Sequence, residues 1–215
     1  MGKIFDMDGS VIRALTRLAD LAIINVLWLL CCIPVVTAGA ATTAMFSLTL
    51  KMVKNEETYI FRSYLKAFKN NFKQSTIVWG ILLVLMMVLG ADAYIMCNWN
   101  SSLRYPMLTL VIGAALVILF IGLYIFALIA KFENTVPEYF KNALLMSVRH
   151  LPYTIILAVI FAAQMYGDFY MLVNNQYLPI VILFGGSAFV YVMSYIHVRV
   201  FKNYIDEDEI EEETL

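Results

Sequence analysis

The sequence predicts an all-α membrane protein, a polytopic bundle of transmembrane helices, and three observations support this prediction. Hydrophobic residues make up 62% of the 215 residues and charged residues only 14%, whereas charged residues make up about 25% of soluble domains. The mean hydropathy is +0.79. Several uncharged stretches reach the ~20 residues that a spanning helix needs. This composition excludes a disordered chain and argues against a soluble globule, and the net charge of −1 excludes a strongly basic nucleic-acid binder.

The first uncharged stretch, Leu21–Leu50, predicts two helices rather than one. A single helix of that length would be about 45 Å long, half again the hydrocarbon thickness of a bilayer. Pro34 lies inside the stretch, and a proline within a helix removes a backbone hydrogen bond and favours a break before it. We therefore expect helices over Val11–Ile33 and Ala38–Val53. The second helix is short, about 24 Å, and the small residues that repeat four apart from Gly39 predict close packing against other helices.

Four further stretches each suit one spanning helix, so the prediction is six membrane segments, five full spans plus the short second helix. These stretches are Trp79–Cys97, Met107–Ala130, Leu151–Val173 and a last one from near Leu178 to Val198. With both termini on the cytoplasmic side, every lysine and arginine except Arg104 lies inside, as the positive-inside rule requires. Five spans would leave Lys3, Arg13 and Arg17 outside as well. A re-entrant or interfacial Ala38–Val53 segment is the alternative, and it fits the charge distribution less well.

The chain is predicted to form one integral membrane domain over residues 1–205, followed by an acidic tail. Residues 206–215 contain seven aspartates and glutamates. A block of like charges repels itself and avoids the anionic inner leaflet of a membrane. We therefore expect this tail to be solvated and disordered.

Residues 57–73 carry aromatic residues at helical spacing beside a stripe of basic residues. An aromatic face flanked by lysine and arginine is typical of an amphipathic helix that lies at the level of the lipid headgroups. The residues that define this segment are Phe61, Arg62, Lys66, Phe68, Lys69 and Lys73. We expect an interfacial anchor leading into the third span, and the same surface is a candidate docking site for a cytoplasmic partner such as an ATPase subunit.

Polar residues near the predicted outer ends of the helices are candidates for a solute-binding cleft, because ionisable groups inside a membrane are costly and need a reason. The candidates are Asp92, Arg104, Gln164 and Asp168. Together they could bind a small polar solute from outside. The alternative is that these groups lie at the interface and meet water.

A second set of polar residues is predicted to make structural contacts within the membrane. Asp20 follows Arg17 by one helical turn, so the two side chains can pair. Asn25 lies deeper in the same helix and can bond across to another helix, with Thr42 or Thr43 as the candidate partners.

The sequence contains none of the motifs that would indicate an enzyme. It lacks a G-x-S-x-G motif, a phosphate-binding Walker loop, an H-E-x-x-H motif and a dinucleotide fingerprint. The two histidines and three cysteines are not clustered, so no metal site and no cofactor are predicted. We expect a protein that is not an enzyme.

One part of the chain resembles the N-terminal region of the YesL family of bacterial membrane proteins of unknown function. The resemblance lies in Asn25–Leu30, in Ile33–Ala44, which follows the family pattern L-P-x-x-T-x-G-A-x-x-x-A, and in Phe68–Ser75, which contains F-x-x-N-F. It is specific over Asp20–Trp79 and only hydropathic beyond it. Cys31, Cys32 and Ala38 stand where the family usually has other apolar residues.

The resemblance implies a multi-pass protein of the bacterial cytoplasmic membrane. Members of the family are often encoded beside carbohydrate ABC transporters and two-component sensors, which implies an accessory or regulatory role in carbohydrate uptake with permease or ATPase subunits as partners. No functional residues are established in the family, so none carry over. The alternatives are an independent small-solute transporter or channel and a membrane scaffold or partner of a sensor kinase. The sequence does not predict an oligomeric state.

Overall fold

The computed structural model describes residues 10–56, 59–98, 103–173 and 178–204, and these residues confirm the predicted all-α bundle. Six segments within them are long and apolar enough to cross a membrane. The acidic tail over 206–215 lies outside the described residues. The eight α-helices are α1 (Ser10–Cys32), α2 (Ala38–Val53), α3 (Ile60–Asn98), α4 (Arg104–Lys131), α5 (Val136–Arg149), α6 (Leu151–Val173), α7 (Leu178–Phe184) and α8 (Ser187–Phe201).

The predicted break at Pro34 is present and separates α1 from α2. Pro34 has an extended backbone, and a single 3-10 turn follows it over Val35–Thr37. The Thr37 amide donates to the Pro34 carbonyl at 2.9 Å, and the Thr37 hydroxyl donates to the same oxygen at 2.8 Å. The chain therefore reverses direction with its polar backbone groups satisfied, as a turn within a membrane protein requires.

Helix α2 is the most buried of the six candidate spans, with 61% of its most apolar window inside the protein. Gly39 fits tightly against α3, because a Cβ atom at this position would lie 2.5 Å from Trp79 Cβ and 2.6 Å from the Ser75 carbonyl oxygen. Ser75 also donates a hydrogen bond to the Thr43 hydroxyl at 2.8 Å. The expected close packing of the short helix is confirmed, and neighbouring helices cover much of it.

Residues 60–73, the described part of the predicted amphipathic segment, are helical and lead directly into the third span as the first part of one continuous 39-residue helix, α3. At 1.5 Å per residue α3 is about 58 Å long, nearly twice the hydrocarbon thickness. The buried Tyr64 side chain donates to the Ala41 carbonyl at 3.1 Å. This part of α3 thus packs on α2 through one side.

Helix α5 was not predicted, although its start carries a recognisable pattern. Glu138 accepts hydrogen bonds from the Thr135 amide at 2.7 Å and from the Thr135 hydroxyl at 2.8 Å, the T-x-x-E arrangement that begins many helices. These two bonds lower the pKa of the Glu138 carboxyl. Since the lowered pKa belongs to the folded state, this cap stabilises the helix above the ordinary glutamate pKa and is lost as the pH falls through the lowered value.

The last predicted span, from Leu178 to Val198, is divided into two helices. Helix α7 ends at Phe184 and α8 begins at Ser187, with Gly185 and Gly186 between them. Glycine suits position 186, because an added Cβ would make tight contacts of 3.2 Å with the Asn25 side-chain oxygen and the Trp28 ring. The break therefore lies inside the bundle, directly against α1.

The centre of the bundle contains a buried histidine. His197 is fully buried, with one ring nitrogen 3.0 Å from the Leu123 carbonyl oxygen and the other 2.9 Å from the Met193 carbonyl oxygen. The rings of Phe46 and Tyr124 pack edge-on against it at centroid distances of 5.4 and 5.3 Å. His197 thus connects α2, α4 and α8 as a structural residue.

Candidate functional site

A cavity of about 620 Å³ lies within the bundle, bounded by α1, α2, α3, α4, α6 and the α7–α8 break. Most of its surface is apolar, and polar groups lie mainly at its α6 and α7–α8 side. Its lining includes Trp28, Thr42, Phe46, Trp79, Leu82, Gly122, Phe126, Phe161, Gln164, Asp168, Gly185 and Gly186. An apolar cavity with a few converging polar groups is the usual form of a small-molecule site, and such sites typically measure about 300–1,000 Å³.

The broken helix on the cavity wall is held on its α1 side by one side chain, that of Asn25. Its Oδ1 atom accepts hydrogen bonds from the amides of Gly186 and Ser187, each at 2.9 Å. Its Nδ2 atom donates to the Ile182 carbonyl oxygen at 2.7 Å. Asn25 therefore caps the start of α8 and the end of α7 at the same time, replacing the backbone hydrogen bonds that a continuous helix would make.

The other polar contact at the break comes from α6. The Gln164 amide nitrogen donates to Asp168 Oδ2 at 2.8 Å and also to the Gly185 carbonyl oxygen. The two hydrogens of the Gln164 amide are thus both engaged. The Asp168 carboxylate accepts one bond from Gln164 and keeps acceptor capacity for another group.

Of the four residues predicted to form a polar cleft, two come together at the cavity. Gln164 and Asp168 line it, one turn apart on α6, whereas Asp92 and Arg104 are not among its lining residues. The Arg104 guanidinium lies 6.0 Å from the centre of its neighbour Tyr105's ring. The cavity therefore contains two of the four predicted residues.

The predicted intramembrane contacts are present in kind but with different partners. Asn25 bonds to the α7–α8 break, while Thr42 accepts from the Trp28 indole nitrogen at 3.2 Å and Thr43 accepts from Ser75. Asn25 bonds to another helix, as predicted, but its partners lie at the α7–α8 break and not on α2. A glycine pair inside an apolar stretch, Gly185–Gly186, was the signal for the correct one.

The Arg17 guanidinium makes hydrogen bonds to other helices in addition to its electrostatic interaction with Asp20. The Arg17 guanidinium donates to the Met52 carbonyl at 2.7 Å and to the Tyr191 hydroxyl at 2.9 Å, and also to the Asn55 side chain. It thereby caps the last turn of α2 and ties α2 to α8. Asp20 lies one turn further along α1, half-buried.

The basic row on the first part of α3 is exposed. Its members are Arg62, Lys66, Lys69 and Lys73, and all four side chains face outward. Phe61 beside them is 60% exposed, while Phe68 is partly buried and packs edge-on against Phe72. The predicted surface therefore exists, although it belongs to α3 and not to a separate helix.

Within the described ranges, no group of three histidine, cysteine or acidic side chains is arranged to hold a metal ion. The three cysteines are unpaired thiols.

Comparison with known proteins gives two matches of unknown function. A family model described as "Protein of unknown function, DUF624" matches residues 21–93. The chain is also 24% identical over 196 residues to the "Uncharacterized protein YteU" of Bacillus subtilis (strain 168). The aligned region covers 89% of this chain and 83% of that protein. No solved structure matches significantly. The chain is thus similar to uncharacterised proteins, and the family match lies over α1, α2 and most of α3.

Proposed function

We propose that this chain is a YesL-family protein of the bacterial cytoplasmic membrane and a non-enzymatic accessory component of carbohydrate ABC transport. The resemblance over Asp20–Trp79 and the family match over 21–93 cover nearly the same part of the chain. The accessory role follows from the gene neighbourhoods of the YesL family, which is an association and not a mechanism. The geometry contributes a surface on which such a partner could dock.

The observation that carries the proposal is the basic row on α3. Its four residues recur at intervals of four, three and four, so they form one row about 16 Å long on one side of the helix. No acidic residue occurs within residues 60–73 to neutralise it. Because the opposite side of α3 packs on α2 through Tyr64, the row is held in a fixed position. A fixed row of positive charge suits an acidic surface on a cytoplasmic partner.

The cavity supports an accessory role over independent transport of a polar solute. A sugar presents hydroxyl groups on all sides and needs many hydrogen-bonding partners. The described lining offers few polar side chains, and among them only Asp168 is ionisable.

The test of the proposal is affinity purification of the tagged chain from its native membrane in mild detergent. We expect an ABC permease or ATPase subunit to co-purify at near-stoichiometric amounts. The triple variant Arg62→Glu, Lys66→Glu, Lys69→Glu should reduce its recovery by about tenfold or more, since charge reversal at a complementary interface costs several kcal/mol. The matched control is Lys131→Glu, Lys141→Glu, Arg149→Glu, which makes the same change in charge at three exposed residues of α4 and α5 outside the row and should keep the partner. Equal recovery with both variants would overturn the docking surface.

A second candidate function is an independent small-solute transporter, and the broken helix favours it. Discontinuous helices line the substrate sites of many transporters. If the protein is such a transporter, proteoliposomes that contain it should take up more glucose than empty vesicles. Asp168→Asn at the cavity should reduce this uptake at least about twofold. Asp92→Asn, outside the cavity, should leave it unchanged. Uptake equal to that of empty vesicles would reject this candidate for sugars.

A further inference from the structure

We propose that the cavity binds an apolar amine, a molecule with a hydrocarbon body and a protonated amino group, with the amine at Asp168. This ligand class is separate from the carbohydrate role proposed above and does not depend on it. The inference rests on the charge, the walls and the size of the cavity.

The charge of the cavity favours a cation. Asp168 is the only ionisable residue among the described lining residues. Asp168 lies on α6, one of the six candidate spans, and an acidic group in a spanning helix is a candidate functional group. The hydrogen bond that it accepts comes from the neutral amide of Gln164, and no basic side chain is among the described lining residues. A protonated amine would supply both the opposite charge and the hydrogen-bond donors.

The remaining polar groups at this side of the cavity also favour a donor. The Gln164 amide hydrogens are engaged with Asp168 and the Gly185 carbonyl. The amides of Gly186 and Ser187 are engaged with Asn25. Among the lining residues on this side, the groups with remaining capacity are therefore acceptors, chiefly the carboxylate and carbonyl oxygens, which suit an ammonium and not a carboxylate or a phosphate. The buried Ser187 hydroxyl, which has no partner among the described residues, does not line the cavity.

The walls suit a hydrocarbon body. Two tryptophans, Trp28 and Trp79, line the cavity together with several phenylalanines. Phe161 and Phe189 pack together at a centroid distance of 6.0 Å. Aromatic faces attract cations in addition to burying apolar surface. At about 620 Å³ the cavity lies within the usual range for small ligands.

A membrane phospholipid with an amine headgroup is disfavoured as the occupant. Such a lipid carries a phosphate beside its ammonium group, and no arginine, lysine or histidine is among the described lining residues to receive it. Placing a phosphate next to Asp168 would set two negative charges together in a region of low dielectric constant. The proposal therefore commits to an amine without a phosphate.

The test uses 11-bromoundecylamine as the probe, because bromine quenches tryptophan fluorescence on contact. The chain has three tryptophans, and Trp99→Phe leaves only the two that line the cavity. This background variant is reconstituted in phosphatidylcholine nanodiscs and titrated at pH 7 with the amine and, in parallel, with 11-bromoundecanoic acid, which has the same chain and bromine but the opposite charge. We expect saturable quenching by the amine at concentrations about tenfold below those required by the acid.

Two pairs of variants separate binding in the cavity from partition into the bilayer. Asp168→Asn should weaken the amine about tenfold, and Asp92→Asn should not. Gly122→Leu fills the cavity and should remove saturable quenching. Gly113→Leu, on the exposed side of the same helix, is its control and should leave quenching unchanged. An added Cβ meets no atom within 4 Å at either glycine, so both variants can be accommodated. Equal quenching by amine and acid would overturn the proposal, as would quenching insensitive to Gly122→Leu or Asp168→Asn.

Mass spectrometry of the purified protein tests the choice of ligand independently. Retention of a phospholipid that the bromo-amine displaces would contradict a phosphate-free ligand.

Discussion

Replacing Asn25 by leucine is expected to destabilise the bundle by about 2–4 kcal/mol, because it leaves several backbone groups at the α7–α8 break without partners in a region of low dielectric constant. Those groups are the amides of Gly186 and Ser187 and the carbonyl of Ile182. Leucine is similar to asparagine in size, so the change removes hydrogen bonds with little change in volume. The free energy of unfolding in mixed detergent micelles, measured by denaturant titration, checks this expectation.

The matched control is Asn98→Leu. The Asn98 amide donates only within its own helix, to the Tyr94 carbonyl at 2.9 Å, and the side chain is exposed. We expect its effect to stay within about 0.5 kcal/mol. Similar losses for the two variants would show that the asparagine at the break is not special. Limited proteolysis near Gly185 gives an independent readout, since freeing the break should expose it to cleavage.

The second large effect is expected from Gly39→Ala, which should destabilise the protein by about 1–3 kcal/mol. The new methyl group would lie 2.5 Å from Trp79 Cβ and 2.6 Å from the Ser75 carbonyl oxygen. Neither atom is the end of a flexible side chain, so α2 and α3 must move apart. In an exposed helix the same substitution would stabilise by about 1 kcal/mol, because alanine is the better helix former.

That opposite sign provides the control. Gly90 lies on α3, and a Cβ added there meets no atom within 4 Å. Gly90→Ala should therefore be neutral or stabilising, measured in the same detergent titration as Gly39→Ala. If both variants changed stability in the same direction, the close contact between α2 and α3 would not control the stability of the bundle.

The spans could be predicted from the sequence because apolar length and proline follow simple rules. The bounds of α2 and α6 agree with the predicted ranges to the residue. Helix α5 could have been predicted from Thr135 and Glu138, yet its short amphipathic sequence lies between two stronger apolar signals. The break between α7 and α8 was missed because hydropathy does not distinguish a continuous span from one interrupted at Gly185–Gly186.

The candidate site was only partly predictable, because it depends on which helices pack together. Gln164 and Asp168 were identified together because they lie one turn apart on one helix. Asp92 and Arg104 were grouped with them only by their position near predicted helix ends, which does not determine the direction of a side chain. Trp28 and Trp79, which contribute to the cavity walls, carry no sequence signal that separates them from ordinary core residues. The predicted orientation, with both termini in the cytoplasm, stays a prediction.

The Trp79 indole nitrogen donates a hydrogen bond of 2.8 Å to the Val35 carbonyl oxygen. This bond holds the α1–α2 turn beside Trp79 of α3. From Trp79 to the end of α3 at Asn98 the helix rises by 19 residues, or about 28 Å. The turn over Val35–Thr37 is therefore attached to α3 at a point about 28 Å along the helix from its far end, close to one hydrocarbon thickness. Nearly half of α3 extends past the point at which the α1–α2 turn is attached.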